Sequence, residues 1–224
     1  TKPMSTVEAV RSVPFFNYPK AFGAYEEQIL DAVRDVLHRG AYIMQKDLVQ
    51  FEENLANYLG VKHAIGVANA TDGLILAWRA AGLPQGGEVI FPSHTMVASP
   101  AAVHFAGGVP VPVDCGPDGL LDPEAVRRAV GPNTKGIMPV QLNGRTCKMD
   151  EIEQIADEHG LLIVEDAAQG LGSSYKGRKA GSFGKAASFS FYPAKILGCM
   201  GDGGAVTTND DHVAEQVKLM RDHG

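Results

Sequence analysis

Lys195 closes the run Ser188-Phe189-Ser190-Phe191-Tyr192-Pro193-Ala194-Lys195, and upstream of it an apolar stretch ends in Val164-Glu165-Asp166-Ala167-Ala168-Gln169. A lysine in a mostly apolar turn can react as the neutral amine and attack a carbonyl. An acid at a strand end can hold a protonated ring nitrogen in a fixed place. The ordered pair therefore suggests pyridoxal 5'-phosphate, which needs an amine for a Schiff base, a carboxylate against its pyridinium nitrogen and a cradle for its phosphate. An ionised Asp166 would favour the pyridinium form and make the ring an electron sink, and Gln169 could hydrogen-bond the ring hydroxyl.

The cradle has two candidates. Asn69-Ala70-Thr71-Asp72-Gly73 follows a short apolar run and opens a helical pattern, so it offers free backbone N–H groups and a hydroxyl to an anion. The same residues also fit an ordinary Thr or Asp N-cap. Ser190 alternates with Phe189 and Phe191, so in a strand it faces away from the aromatics and can reach a phosphate oxygen, although a solvent-facing serine fits the pattern too. Asp166 could likewise cap a helix.

Other chemistries lack their parts. Gly181-Ser182-Phe183-Gly184-Lys185-Ala186 resembles a P-loop only superficially, because its glycine spacing is wrong and Ala186 lacks the magnesium-binding hydroxyl. There is no G-x-S-x-G elbow, no H-E-x-x-H and no G-x-G-x-x-G after a strand. Cys115, Cys147 and Cys199 show no C-x-x-C spacing and the histidines are scattered, so neither disulfides nor a metal site is expected. The net charge of −6 is spread without a basic block, which argues against nucleic acid or an anionic membrane surface and for a small diffusible substrate. No apolar run reaches the roughly 20 residues of a membrane span, and the reading is a reduced, cytoplasmic protein.

Positioning these groups takes an α/β scaffold. With 224 residues, 45% hydrophobic, the chain can bury one large core. Helical periodicity covers 25–38, 47–59 and 71–81, with a further helix at 94–105. Asp122-Pro123-Glu124 opens another, and 150–159 one more, with a capping-box pattern at Asp150 and Glu153. Strands are expected at 63–68, 88–91, 109–113 (an edge, by its two prolines), 136–140, 161–165, 187–192 and 204–208. The last two are joined without room for a crossover helix and can pair antiparallel. The expected fold is a three-layer α-β-α arrangement on a mixed, mostly parallel sheet. Residues 1–45 would form a segment bordering the active site and 46–224 the large cofactor-binding domain. The chain starts without Met and stops at Arg221-Asp222-His223-Gly224 directly after a helical pattern, so further chain is expected to follow.

Four stretches together closely resemble the fold-type I, pyridoxal-phosphate-dependent sugar aminotransferases of the DegT/StrS type. They are Asn69-Ala70-Thr71-Asp72-Gly73-Leu74, Phe91-Pro92-Ser93-His94-Thr95, Val164-Glu165-Asp166-Ala167-Ala168-Gln169, and Ser190-Phe191-Tyr192-Pro193-Ala194-Lys195 with Gly201-Asp202-Gly203-Gly204. The likeness runs over 14–224. It implies that Lys195 forms the Schiff base and shuttles a proton, that Asp166 holds the pyridine nitrogen and Gln169 the ring oxygen, and that Thr71, the Asp72 backbone and Ser190 contact the phosphate. A related dehydratase branch has histidine in place of the lysine, so Lys195 favours amino transfer.

The chain also departs from the family. Met96 stands where relatives usually stack an aromatic on the ring; a thioether can contact a ring face without that rigid plane. Gln141-Leu142-Asn143-Gly144 replaces a pattern more often carrying a tyrosine, which makes Asn143 a substrate candidate. Tyr42 matches an N-terminal segment that borders the substrate in relatives and equally fits a structural tyrosine. The resemblance implies a homodimer with shared active sites and a small C-terminal domain missing from this chain. The expected activity is transfer of an amino group from glutamate or glutamine to a nucleotide-linked keto-sugar. A cyclitol aminotransferase, a sugar dehydratase and a non-catalytic regulatory relative are the alternatives.

Overall fold

A computed structural model describes residues 12–223. Residues 1–11 of the expected N-terminal segment, and Gly224, lie outside the described residues. The chain divides between Ile43 and Met44 into two compact units.

The first unit carries α1 (Tyr18–Gly23) and α2 (Glu26–Arg39). Helix α2 has acids in its first turn and His38 and Arg39 in its last, each complementing the backbone dipole. It ends at Gly40, whose φ of 62° lets its amide turn back to Leu37 O.

The second unit is built on a seven-stranded sheet. In chain order its elements are α3 (Lys46–Leu59), β1 (His63–Val67), α4 (Ala70–Ala80), β2 (Glu88–Pro92), α5 (Ala98–Phe105), β3 (Val109–Val113) and α6 (Pro123–Ala129). There follow β4 (Thr134–Ile137), α7 (Met149–His159), β5 (Leu162–Asp166), the small hairpin β6 (Ser174–Tyr175) and β7 (Arg178–Lys179), β8 (Ala186–Ser190), β9 (Gly204–Thr208) and α8 (Asp211–Arg221). The strand order is β1-β9-β8-β5-β4-β2-β3. Only β9 runs against the others: it pairs antiparallel with β8 and with β1, while the remaining pairs are parallel. Pro110 and Pro112 sit in β3, at the edge where their missing N–H donors cost least.

Strand alternation sorts side chains to two faces. On one, Val164, Ala186 and Val206 join Leu74 and Trp78 of α4, Ala102 and Val103 of α5, and Val213 and Val217 of α8 in a single buried cluster. On the other, Ile137 and Ile163 pack with Met149 and Ile152 of α7, and Ala187 and Phe189 with Leu55 and Leu59 of α3. This is the three-layer arrangement with a mixed, mostly parallel sheet that the sequence predicts. Strand β5 is buried from Ile163 to Asp166, as a strand covered on both faces must be.

Three local expectations change. The helix expected over 94–105 begins at Ala98, leaving Ser93–Val97 as an irregular connection beyond β2. Strand β4 ends at Ile137, and Val140 touches the sheet again only through a bridge to Asp166. Asp150 forms no capping box: it lies within the first turn of α7, where its carboxylate accepts from Tyr175 Oη (2.7 Å) and Lys176 Nζ (2.5 Å) of the unanticipated hairpin.

Candidate active site

Asp166 ends β5 with 5% of its surface exposed. Its backbone is fixed on both sides, the amide donating to Pro139 O and the carbonyl accepting from Gln141 N. Its carboxylate accepts a hydrogen bond from Ser99 Oγ at 2.6 Å and another from Ala168 N at 3.1 Å. Burial raises the carboxyl pKa, and Ser99, Ala168 and the nearby charge of Lys195 act against that rise. Strands β5 and β8 pair in parallel, so Asp166 and the loop bearing Lys195 leave the same end of adjacent strands. Among the described residues the Lys195 amine itself has no hydrogen bond or ion pair.

The loop bearing Lys195 is held by backbone contacts rather than by regular structure. The Lys195 amide donates to Tyr192 O at 2.8 Å, and the Phe191 amide donates to Gly203 O at 2.8 Å. Phe191 O accepts both the amide and the thiol of Cys199, at 2.8 and 2.9 Å. These contacts close residues 191–203 into a loop with Lys195 on it, beyond the end of β8.

Helix α4 starts beside the same strand ends. Asn69 is its N-cap, accepting from Asp72 N at 2.8 Å while Asn69 Nδ2 donates back to the Asp72 carboxylate at 2.8 Å. The Asp72 amide is thus already engaged. The first intrahelical bond is Gly73 N to Asn69 O, which leaves the amides of Ala70 and Thr71 as the orphan donors of the first turn. Ser188 Oγ donates to Ala70 O at 2.9 Å and ties this turn to β8. The approach is close because two positions lack a Cβ. One on Gly204 would stand 2.5 Å from the Asn69 carbonyl carbon, and one on Gly73 would stand 2.3 Å from Ser188 Oγ. Ser190 lies two residues beyond Ser188 on the same face, partly exposed, and its Oγ accepts from Tyr192 N at 3.3 Å.

Gln169 Oε1 accepts from Asn143 N at 3.0 Å, and Gln169 O accepts from Gly144 N. A backbone N–H can only donate, so this contact fixes which end of the Gln169 amide is oxygen, and Nε2 remains a donor without a partner among the described residues. Asn143 sits in the left-handed region (φ 55°) of the short turn Leu142–Gly144 and is exposed. Met96 is 65% exposed on the connection before α5. Tyr42 belongs to the first unit, where its hydroxyl donates to Leu37 O at 3.3 Å. Lys195, Asp166, Gln169, Thr71 and Ser190 thus sit at or just past the carboxyl ends of parallel strands, or on the first turn of the helix that follows.

The sequence reading missed Ser99, which is fully buried and reaches Asp166 from α5. Thr95, four residues earlier on the irregular connection before α5, hydrogen-bonds its hydroxyl at 2.6 Å. The i, i+4 spacing of two hydroxyl residues in a stretch read as helix was the available signal. Glu165 was also passed over as a strand residue, although it is completely buried.

Residues 24–224 match the model of the DegT/DnrJ/EryC1/StrS aminotransferase family. The dTDP-3-amino-3,4,6-trideoxy-alpha-D-glucose transaminase of Streptomyces venezuelae is 43% identical over 99% of this chain and 59% of its own length. The crystal structure of S. venezuelae DesV in complex with a ketimine intermediate superposes with a TM-score of 0.92 at 44% identity, covering 95% of this chain and 57% of that one. The structure of ntda from Bacillus subtilis with bound cofactor PMP gives a TM-score of 0.87 at 33% identity, over 96% of this chain and 49% of that one. The chain thus spans less than two thirds of the length of these relatives. With the match covering nearly all of its residues, the chain belongs to the DegT/DnrJ/EryC1/StrS aminotransferase family.

Proposed function

We propose that the full-length protein is a pyridoxal-phosphate-dependent aminotransferase that moves an amino group from glutamate or glutamine to a nucleotide-linked keto-sugar in deoxyamino-sugar biosynthesis. The observation that carries this reading is the buried Asp166 carboxylate at the end of β5, beside the parallel strand β8 from whose same end the loop bearing Lys195 departs. The donor set fits the cofactor: a buried acid for a cationic ring nitrogen, the fixed Nε2 of Gln169 for a ring oxygen, and the first turn of α4 with Thr71 and Ser190 for the phosphate. The name of the S. venezuelae relative supports a nucleotide-linked sugar, and the PMP-bound B. subtilis structure supports the cofactor.

When bound, pyridoxal phosphate supplies an aldehyde that captures amines and a ring that accepts electrons from the carbon losing its proton. Asp166, if ionised beside the ring nitrogen, would favour its protonated form. Lys195 Nζ would provide the covalent tether for the cofactor and would carry the proton to and from the substrate carbon. Gln169 would orient the ring, Met96 would offer its thioether to a ring face, and Asn143 and Tyr42 would border the substrate. The active form is a homodimer with shared sites, residues 1–45 bordering the site and 46–224 binding the cofactor. No helix among the described residues is long and apolar enough to cross a membrane; the proposed location is the cytoplasm.

Borohydride reduction of the cofactor-loaded full-length protein, followed by mass spectrometry, tests the covalent claim. One added pyridoxyl group on Lys195, absent from Lys195→Ala, is the expected result, and an unmodified parent protein would end the proposal. Turnover of several nucleotide-linked keto-sugars with glutamate and glutamine in parallel then identifies acceptor and donor.

A further inference from the structure

The hydroxyl chain behind Asp166 has no part in the roles assigned above. Ser99 is 0% exposed, and its Oγ lies 2.6 Å from Asp166 Oδ2 and 2.6 Å from Thr95 Oγ1. A serine hydroxyl has one proton, and an ionised carboxylate can only accept. Ser99 therefore donates to Asp166, and Thr95 must be the donor to Ser99, which gives the chain a direction: Thr95 to Ser99 to Asp166. We propose that Ser99, polarised by Thr95, is a positioning residue that clamps the Asp166 carboxylate in one orientation and keeps it ionised for the cofactor's ring nitrogen. This inference rests on the cofactor reading above.

The surroundings of Asp166 make one hydroxyl consequential. Its other contacts are the Ala168 amide and the charge of Lys195, while burial favours its protonated form. The adjacent Glu165 is turned to Gln141, Gly181 and Phe183 and takes no part. Hydrogen bonds to charged groups in such a setting are each worth about 1.5–3 kcal/mol. Without Ser99, Asp166 gains proton affinity and competes with the ring nitrogen for the proton they share. A ring with less of that proton withdraws less from the nitrogen joining Lys195 to the cofactor, which then holds its own proton to higher pH.

The test is a pH titration of the visible absorbance of cofactor-loaded full-length protein without substrate. Ser99→Ala should move the midpoint upward by about half to one pH unit, a part of the roughly one to two units that one lost charge-assisted hydrogen bond would move Asp166 itself, because the effect reaches the Lys195 nitrogen only through the ring. Ser99→Cys, nearly isosteric and a weaker donor, should move it the same way by less, and Ser99→Thr, which keeps the hydroxyl, should restore it. A midpoint unchanged in either folded variant, Ala or Cys, overturns the proposal, as does a Ser99→Thr protein shifted as far as Ser99→Ala. The two readings fail separately: a parent that takes up no cofactor on borohydride reduction sinks the cofactor assignment, whereas a loaded parent with an insensitive Ser99→Ala sinks only the role of Ser99.

Discussion

Glu165 and Asp166 leave the same strand on opposite faces of the sheet, both buried, and their surroundings differ in kind. Glu165 is ringed by donors: Gln141 Nε2 at 2.6 Å, Phe183 N at 2.7 Å and Gly181 N at 3.0 Å. Gln141 is held in turn, its Oε1 accepting from Cys147 N at 2.7 Å. Asp166 has one hydroxyl, one amide and an amine that acts on it without bonding to it. Burial alone therefore does not single out the carboxylate proposed to hold the cofactor. Glu165 is a staple whose acceptors are taken up by two loops, and Asp166 is an acid left with capacity for a ligand cation.

That contrast can be broken most directly at Glu165. Glu165→Ala strands three buried donors at once, and unmet buried donors cost about 1–3 kcal/mol each, less what the loops regain by relaxing. A loss of about 3–5 kcal/mol in chemical denaturation is expected; a loss under about 1 kcal/mol would mean that the loops do not depend on this staple. Asp166→Asn should behave in the opposite way. It keeps an acceptor for Ser99, so stability should change by no more than about 1 kcal/mol, while transamination falls about a hundredfold or more, or about 3 kcal/mol of barrier. An Asn variant with near-parental turnover would remove Asp166 from the chemistry.

A third probe belongs to the Asp166 face. Gly204→Ala places a methyl group against the backbone at Asn69 and Ala70, where no side chain can rotate away. Helix α4 must retreat from β9, at about 1–3 kcal/mol, with weaker binding of pyridoxal phosphate than of the phosphate-free aldehyde as the specific sign. Gly131→Ala, which would meet nothing within 4 Å, is the neutral control.

How much of this was readable beforehand follows the range of the interactions. The parallel core strands, the prolines of an edge strand and the antiparallel β8–β9 pair all announce themselves in short stretches of sequence, as do the residues at strand ends that bind ligands in such sheets. Asp166 and Lys195 stand out as a proposed pair because each follows an apolar run and their residue types make sense together. Ser99 does not, since its meaning comes from α5 crossing to β5, a contact between residues 67 apart in sequence. Asp150 misled for the same reason. Its local pattern is a capping box, but Lys176 and Tyr175 on a hairpin distant in sequence compete for the carboxylate and win. Glu165 looked like one more strand residue because its donors come from two segments distant in sequence, Gln141 and the turn 181–183.

The smallest expected effect sharpens the comparison through pH. Burial lifts the Glu165 pKa from 4.5 to about 7, with the Gly181, Phe183 and Gln141 hydrogen bonds opposing the rise. The folded protein then holds this proton more tightly than the unfolded chain does. The linked stability is fully present below the unfolded value and is lost as pH rises through the folded one. Between about pH 6 and about pH 8 the loss amounts to about 1 kcal/mol. Glu165→Gln preserves the shape and cannot titrate, whereas Asp166, whose pKa is also raised, titrates in both proteins and cancels from their difference. The parental advantage over Glu165→Gln in urea denaturation should therefore shrink by about 1 kcal/mol across that interval. A constant difference would mean that Glu165 is already ionised at pH 6, with its ring of donors outweighing its burial.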